Sequence, residues 1–184
     1  MGQDKALLLL GGLALAERLA ERVRAAAGSA TLVGGQEKYG HLGWPVVDDL
    51  LPGRGPLGGL YTALKQTTAR WNLVVGCDLP FLTPQFMASL LKTAEAEQEQ
   101  VQVVVPVSPQ QGYQPLAAVY RSDCLSEVEI ALQRQDYKMA GLLERLRRRE
   151  VPPDEWRPFD PGGVLFQNVN TPEEWERARR AAEG

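Results

Sequence analysis

A three-layer α/β/α fold, with helices on both faces of a mostly parallel sheet, is what this chain predicts, and two observations carry that reading. Short apolar runs of strand length alternate with amphipathic runs of helix length almost from end to end. Parallel strands need crossover connections, and the intervening helices supply them. Size sets the bounds: 184 residues, 44% hydrophobic and 23% charged, suit one compact core. Residues 1–184 therefore read as a single domain, with no internal repeat, low-complexity tract or interdomain linker.

Taken in order, Leu13, Ala16, Leu19, Ala20 and Val23 recur at helical spacing until Gly28, which predicts a helix over Leu13–Ala27. The run "ATLVGG" reads as a buried strand and "WPVVDD" as a second. "PLGGLYTALKQT" reads as a helix with Leu57, Leu60, Ala63 and Leu64 on its apolar face. "WNLVVGCD" is apolar at nearly every position, as a strand covered on both faces should be. Pro84 opens a helix to about Glu97, and "QVQVVVPV" is a strand. "YQPLAAVY" is another strand, whose early part Pro115 pushes to an edge or bulge. Helices are expected over Asp123–Gln135 and Met139–Arg148, then a Pro-rich stretch from Pro152 to Pro161 and a strand over Val164–Val169. A closing helix starts at Pro172, with Thr171 as N-cap and Glu174 at N3.

Composition excludes several classes. Lys and Arg number 20 against 23 acids, a formal net charge of -3, and neither sign is gathered in a block. Nothing electrostatic advertises a nucleic-acid or membrane partner. The aliphatic run Ala6–Leu10 is too short to span a bilayer and lacks the flanks of a signal peptide, so a cytoplasmic protein is expected. Cys77 and Cys124 lie far apart without metal-type spacing and are expected to be reduced thiols. His41, the single histidine, sits in a polar loop. Trp44, Trp71, Trp156 and Trp175 are scattered and form no stacking platform for nucleic acid.

In open α/β sheets, ligands bind beyond the carboxyl ends of the strands, and three such places stand out. In "GCDLPFL", Asp78 ends an apolar strand just before Pro80. A carboxylate there suits Mg²⁺, which takes its other ligands from water and phosphate, or it caps its own turn. In "VVDDLLPGRGPLGGL", Asp48 and Asp49 end a strand, and glycines around Pro56 precede a helix. That is either a nucleotide-binding loop offering free N–H groups or simply a loop. In "QNVNTPEEW", Asn168 and Asn170 lie two apart in an extended segment, so they face one side, where amides can hold phosphate or metal or can make a turn. Tyr113 and Gln114, before Pro115, are candidates by position only.

Together "MGQDKALL", "DDLLPGRGPLGGL", "CDLPFL" and "NVNTPEE", in this order over nearly the whole chain, resemble the molybdenum cofactor guanylyltransferase (MobA-like) family. The resemblance implies a Rossmann-like nucleotidyltransferase fold. It also implies an Mg²⁺-dependent reaction in which molybdopterin phosphate attacks the α-phosphate of GTP, giving the guanine dinucleotide cofactor and pyrophosphate. Lys5 then matches the lysine that meets the nucleotide phosphates. Asp49 and the Gly55–Gly59 loop, with Pro56, Leu57 and Gly58, match nucleotide-contacting elements, Asp78 matches the Mg²⁺ aspartate, and Asn168 and Asn170 match the Asn-x-Asn near phosphates and pterin. The chemistry fits, because nucleotidyl transfer needs charge neutralisation and in-line positioning more than a nucleophilic side chain.

The expected partners are GTP and molybdopterin, with a monomeric protein in transient contact with cofactor-delivery proteins. The alternatives are another nucleotidyltransferase, cytidylyl or sugar-phosphate, and a non-catalytic nucleotide-binding protein. In this family the lysine is also preceded by a first strand and a loop of the type Leu-Ala-Gly-Gly-x-x-x-Arg-Met-Gly, of which Met1–Lys5 matches only the tail. The expectation is a native chain that starts upstream of Met1, and weak GTP binding with little turnover for residues 1–184.

Overall fold

The computed structural model describes residues 4–10, 12–169 and 171–183. After a 3₁₀ turn over Lys5–Leu7, a small hairpin, β1 (Leu9–Leu10) with β2 (Leu13–Ala14), leads into α1 (Leu15–Ala27). Gly28 ends α1 in the left-handed conformation at φ 82°, which glycine adopts without a Cβ clash. Then follow β3 (Leu32–Val33), α2 (Gln36–Tyr39), β4 (Val46–Val47), α3 (Gly55–Gln66), β5 (Trp71–Val75) and α4 (Pro84–Glu97). The remainder is β6 (Val103–Ser108), β7 (Gly112–Tyr113), β8 (Ala117–Arg121), α5 (Leu125–Gln133), α6 (Met139–Arg145), β9 (Arg148–Val151), α7 (Pro153–Trp156) and α8 (Pro172–Glu183).

Two groups of strands make up the middle layer. β3 and β4 pair in parallel, and β5-β8-β6-β7 form the larger sheet with β9 parallel to β6. β8 runs antiparallel to both β5 and β6, so the sheet is mixed among the described pairings. The period-2 alternation of the central strands divides the core. Val103, Val105, Ala118 and Tyr120 face α3, α5 and α6 through Leu57, Leu60, Val128 and Leu142. Val104, Ala117 and Val119 face α4 and the Trp156 region through Phe86, Leu90 and Phe166. That is the three-layer arrangement expected from the sequence.

Local chemistry sets the boundaries. The Thr83 hydroxyl accepts from the Phe86 N–H at 3.2 Å with Pro84 at the first turn, so α4 starts and ends where the sequence predicts. Ahead of α8, Thr171 and Glu174 make the reciprocal capping pair, at 3.1 and 3.2 Å. Three expectations fail. The helix expected to run to Arg148 stops at Arg145, and Arg148–Val151 is an edge strand. The strand expected over Val164–Val169 is a turn, because one Asp160 carboxylate oxygen accepts from both the Val164 and Leu165 N–H groups, at 2.8 and 3.0 Å. β5 is half-buried at every position, whereas β8 is buried throughout. β5 pairs only with β8 among the described residues. Among the described residues no helix is long and apolar enough to cross a membrane.

Candidate functional site at the carboxyl end of the sheet

Asp78 lies in a tight turn directly after β5. The Leu79 N–H closes the turn on the Gly76 carbonyl at 3.2 Å, and the Gly76 N–H is tied to the Leu116 carbonyl at 2.8 Å. The turn is thus made by Gly76–Leu79, just ahead of Pro80. A Cβ on Gly76 would stand 2.7 Å from Asp78 Oδ1 and 3.1 Å from Leu116 Cβ. Glycine is therefore what lets the carboxylate fold back over the strand end. From α1, the Arg22 guanidinium donates to the carbonyls of Pro80 and Leu82, the second at 3.2 Å, and clamps the loop beyond Asp78. Burial lowers the pKa of Arg22, and the nearby Arg18 charge lowers it further.

Two other chain segments meet this turn. The Val169 N–H donates to the Asp78 carbonyl at 2.9 Å, which brings the exposed Asn168 beside Asp78. Val169 is buried with Leu15 and Trp175, and Leu8 and Phe81 pack against them. Trp175 stacks on Phe81 with ring centroids 5.1 Å apart and rings 17° from parallel. Leu8 thereby anchors the Lys5 segment at the same place, and the Leu15 N–H donates to the Leu8 carbonyl at 3.1 Å. Lys5 itself is exposed. Asp4 caps the 3₁₀ turn by accepting from the Ala6 N–H at 3.1 Å and takes a hydrogen bond from the Tyr39 hydroxyl at 2.8 Å. At the tip of the turn Cys77 is exposed as a residue, yet partial desolvation of its sulfur pushes the thiol up, Asp78 and Asp4 push it further, and the Lys5 charge opposes them. All three charges are therefore within electrostatic reach of one point.

Asp49 belongs to a second group, beyond β4. Its Oδ1 accepts from the Leu51 N–H at 3.0 Å and from the Thr62 hydroxyl at 3.1 Å, while the Thr62 oxygen accepts from the Leu50 N–H at 3.0 Å. Thr62 is fully buried on α3, so this chain of bonds fixes the loop to the helix. Gly55 is not in a loop: it begins α3, with φ +60°, and Pro56 follows in the first turn. Leu57 is wholly buried in the core, so its side chain has no surface to offer a nucleotide. Gly58 is buried because Leu51 O lies 2.9 Å from where a Cβ would stand. What this group presents outward is the main chain of Gly55 and Pro56 and the Arg54 side chain, which lies over the Tyr137 ring at 4.8 Å and donates to its hydroxyl.

Asn168 does not lie in a strand, and Asn170 lies outside the described residues. Arg22 and Gly76 were missed by sequence reasoning. Arg22 looks like one more charge on the solvated face of an amphipathic helix, and no local signal marks it. Gly76 could have been flagged as a glycine at a strand end next to a carboxylate.

Asp78 is a lone carboxylate. Among the described residues no cluster of three or more His, Cys, Asp or Glu could hold a metal ion. That donor set does not make a self-contained cage. It does fit Mg²⁺, which commonly uses one or two protein carboxylates and completes its octahedron with water and phosphate oxygens.

Comparison with known proteins bears on the family and the fold. The sequence profile of the MobA-like NTP transferase domain matches residues 1–151. A probable molybdenum cofactor guanylyltransferase of Pelotomaculum thermopropionicum is 35% identical over 184 residues, covering 100% of this chain and 87% of the relative. The molybdenum cofactor guanylyltransferase of Desulfosudis oleivorans is 30% identical over 98% of this chain and 88% of its own. Among solved structures, molybdopterin-guanine dinucleotide biosynthesis protein A of Archaeoglobus fulgidus superposes with a TM-score of 0.80 at 26% identity, covering 99% of this chain and 90% of that one.

Proposed function

Since this chain belongs to the family of MobA-like NTP transferases, we propose that it transfers GMP from GTP to the phosphate of molybdopterin-type molybdenum cofactor, releasing pyrophosphate. The observation that carries the reading is the convergence of the Lys5 segment, Asp78 and Asn168 at the carboxyl end of β5. This is where ligands bind in open α/β sheets. In the reaction an oxygen of the pterin phosphate bonds to the α-phosphorus of GTP, and the bond from that phosphorus to the bridging oxygen breaks. The electron pair leaves with pyrophosphate.

No side-chain nucleophile takes part. Lys5, exposed at the mouth of the site, neutralises phosphate charge. Asp78 would hold Mg²⁺ together with phosphate oxygens, and the ion would supply charge neutralisation on the leaving pyrophosphate. The Asn168 amide, with Asn170 two residues on, orients the pterin phosphate. Asp49 and the main chain of Gly55 and Pro56 take the nucleoside end. For Asp49 the second carboxylate oxygen serves, since Oδ1 is engaged by Leu51 and Thr62. A cytoplasmic monomer that meets cofactor-delivery proteins transiently completes the reading.

The test is calorimetric titration of GTP, with CTP as control, in Mg²⁺, together with an assay for Mg²⁺-dependent pyrophosphate release. GTP-selective binding that becomes indifferent to Mg²⁺ in Asp78→Asn supports the assignment. Equal binding of CTP would favour a cytidylyltransferase. Binding without pyrophosphate release in any version of the chain would point to a non-catalytic nucleotide binder.

A further inference from the structure

The turn that carries Lys5 is held from two sides. On one side Leu8 packs against the cluster of Leu15, Val169 and Trp175, and its carbonyl accepts from the Leu15 N–H at 3.1 Å. On the other side the hold is polar and passes through Asp4. The Asp4 carbonyl accepts from the Leu7 N–H at 3.0 Å and its Oδ1 from the Ala6 N–H at 3.1 Å, so one residue closes the 3₁₀ turn twice. Both bonds are internal to the turn and do not fix which way it faces. A turn pinned only at Leu8 could swing about that point and carry the Lys5 ammonium with it.

The second pin comes from α2. Asp4 Oδ2 takes the hydrogen bond of the Tyr39 hydroxyl at 2.8 Å, across 35 positions of the chain. Lys38 Nζ stands 3.6 Å from the same oxygen, but its side chain is 63% exposed, and an ion pair in that setting contributes little. Tyr39 is half-buried, and burial, followed by the bond to Asp4, pushes its hydroxyl pKa up. It therefore stays a donor at any pH near neutrality.

The local sequence is built to place this side chain. A Cβ on Gly34 would stand 2.5 Å from Tyr39 Cε2, so glycine at the end of β3 lets the ring lie across the strand. α2 is a single turn, too short to hold its shape alone, and its first amide, the Gln36 N–H, donates to Asp48 Oδ1 at 2.8 Å. The Gly34 N–H is tied to the Val47 carbonyl at 3.0 Å. The neighbouring aspartates thus act in different directions. Asp49 fixes the loop ahead of α3 through Leu51 and Thr62, and Asp48 fixes α2, whose Tyr39 reaches Asp4.

We propose that Tyr39 is a positioning residue for nucleotidyl transfer: its hydroxyl, acting through Asp4, sets the direction in which Lys5 meets the nucleotide phosphates. The inference rests on the phosphate-neutralising role given to Lys5 above. It gives the β3–α2 corner a part in the reaction through a bond that can be removed without changing charge, because Tyr39→Phe deletes one oxygen and leaves the ring over Gly34.

Tyr39→Phe, Lys5→Met and the double variant, made in residues 1–184, are titrated calorimetrically with GTP in Mg²⁺, and amide exchange is followed over Ala6–Leu8. Expected are faster exchange in Tyr39→Phe and MgGTP binding weakened by about tenfold. The double variant should bind no more weakly than Lys5→Met, because removing the lysine removes what the tyrosine acts on. A Tyr39→Phe Kd within about twofold of the parent, the usual error of additivity, would make Tyr39 a brace of the fold and overturn the proposal. So would a double variant weaker than Lys5→Met by the full Tyr39→Phe factor, since the two residues would then act independently. Either result leaves the enzymatic reading standing. If the parent binds no MgGTP, or Lys5→Met binds it as tightly as the parent, that reading of Lys5 fails first and the inference falls with it.

Discussion

Replacing Arg22 by Met keeps the unbranched stem of the side chain and removes its guanidinium donors, and the consequence can be worked from the contacts. Arg22 gives hydrogen bonds to the carbonyls of Pro80 and Leu82, both in buried residues, so neither carbonyl has ready access to water once the donor is gone. A hydrogen bond to a charged group contributes about 1.5–3 kcal/mol. Against that stands the cost of holding the guanidinium out of water, which also lowers its pKa. The net loss is about 2 kcal/mol, within the usual range for a broken buried network. For a chain of this length each kcal/mol shifts Tm by roughly 2–4 °C, so a drop of about 4–8 °C is expected. Both bonds come from the one Nη1, so Arg22→Lys, whose ammonium has donors enough but a shorter stem, should recover only the part that its reach allows. Thermal unfolding gives the Tm, and amide exchange over Cys77–Leu82 shows whether the loop has loosened. A Tm within about 1 °C of the parent, with unchanged exchange in that loop, would refute the claim that Arg22 holds the turn carrying Asp78.

Three further outcomes are expected. Gly76→Ala places a methyl group 2.7 Å from the resting position of Asp78 Oδ1 and should weaken Mg²⁺-dependent GTP binding by roughly 10- to 100-fold, with metal-free binding as the internal control. Titration with a chromogenic disulfide at pH 8 should modify one thiol in the folded chain and two in denaturant. Cys77 is exposed, whereas Cys124 is wholly buried, donates to the Gln102 carbonyl at 3.0 Å and has its thiol pushed up to about 12, chiefly by burial. The paired hydrogen bonds from Arg121 hold the Asp123 carboxyl below its ordinary value of 3.8. Its contribution is therefore full above the unfolded-state pKa and lost as pH falls through the folded one. Asp123→Asn should remove a shallow acid-limb slope of at most about 1 kcal/mol, since the carboxylate is about half exposed.

Legibility from sequence followed the range of the interactions. α4 was readable to the residue because its start is a Thr-Pro cap and its burial an unbroken helical pattern, all within fourteen residues. β9 was not, because "RRRE" carries the charges of an edge strand, and those read equally well as the end of the preceding helix. Val164–Val169 has the apolar content of a strand, but a carboxylate four residues earlier captures its amides first. Within the site, Asp78 could be found because a strand end followed by proline is a local signal. The Val169 bond to Asp78 joins positions 91 residues apart, and nothing in either segment announces the other. Leu57 shows the converse: the family pattern includes it, yet its side chain belongs to the core.

The stacking of Trp175 on Phe81 and the Val169 bond to Asp78 set an order of events during synthesis. Chains fold from the amino-terminal end as they leave the ribosome, and the sheet from β5 to β9 is complete in sequence by Val151. The turn that bears Asp78 acquires its last neighbours only when the final helix emerges. A nascent chain arrested after α7 would therefore carry most of the sheet while the turn that bears Asp78 still lacks its bond from Val169 and the stacking of Trp175 on Phe81.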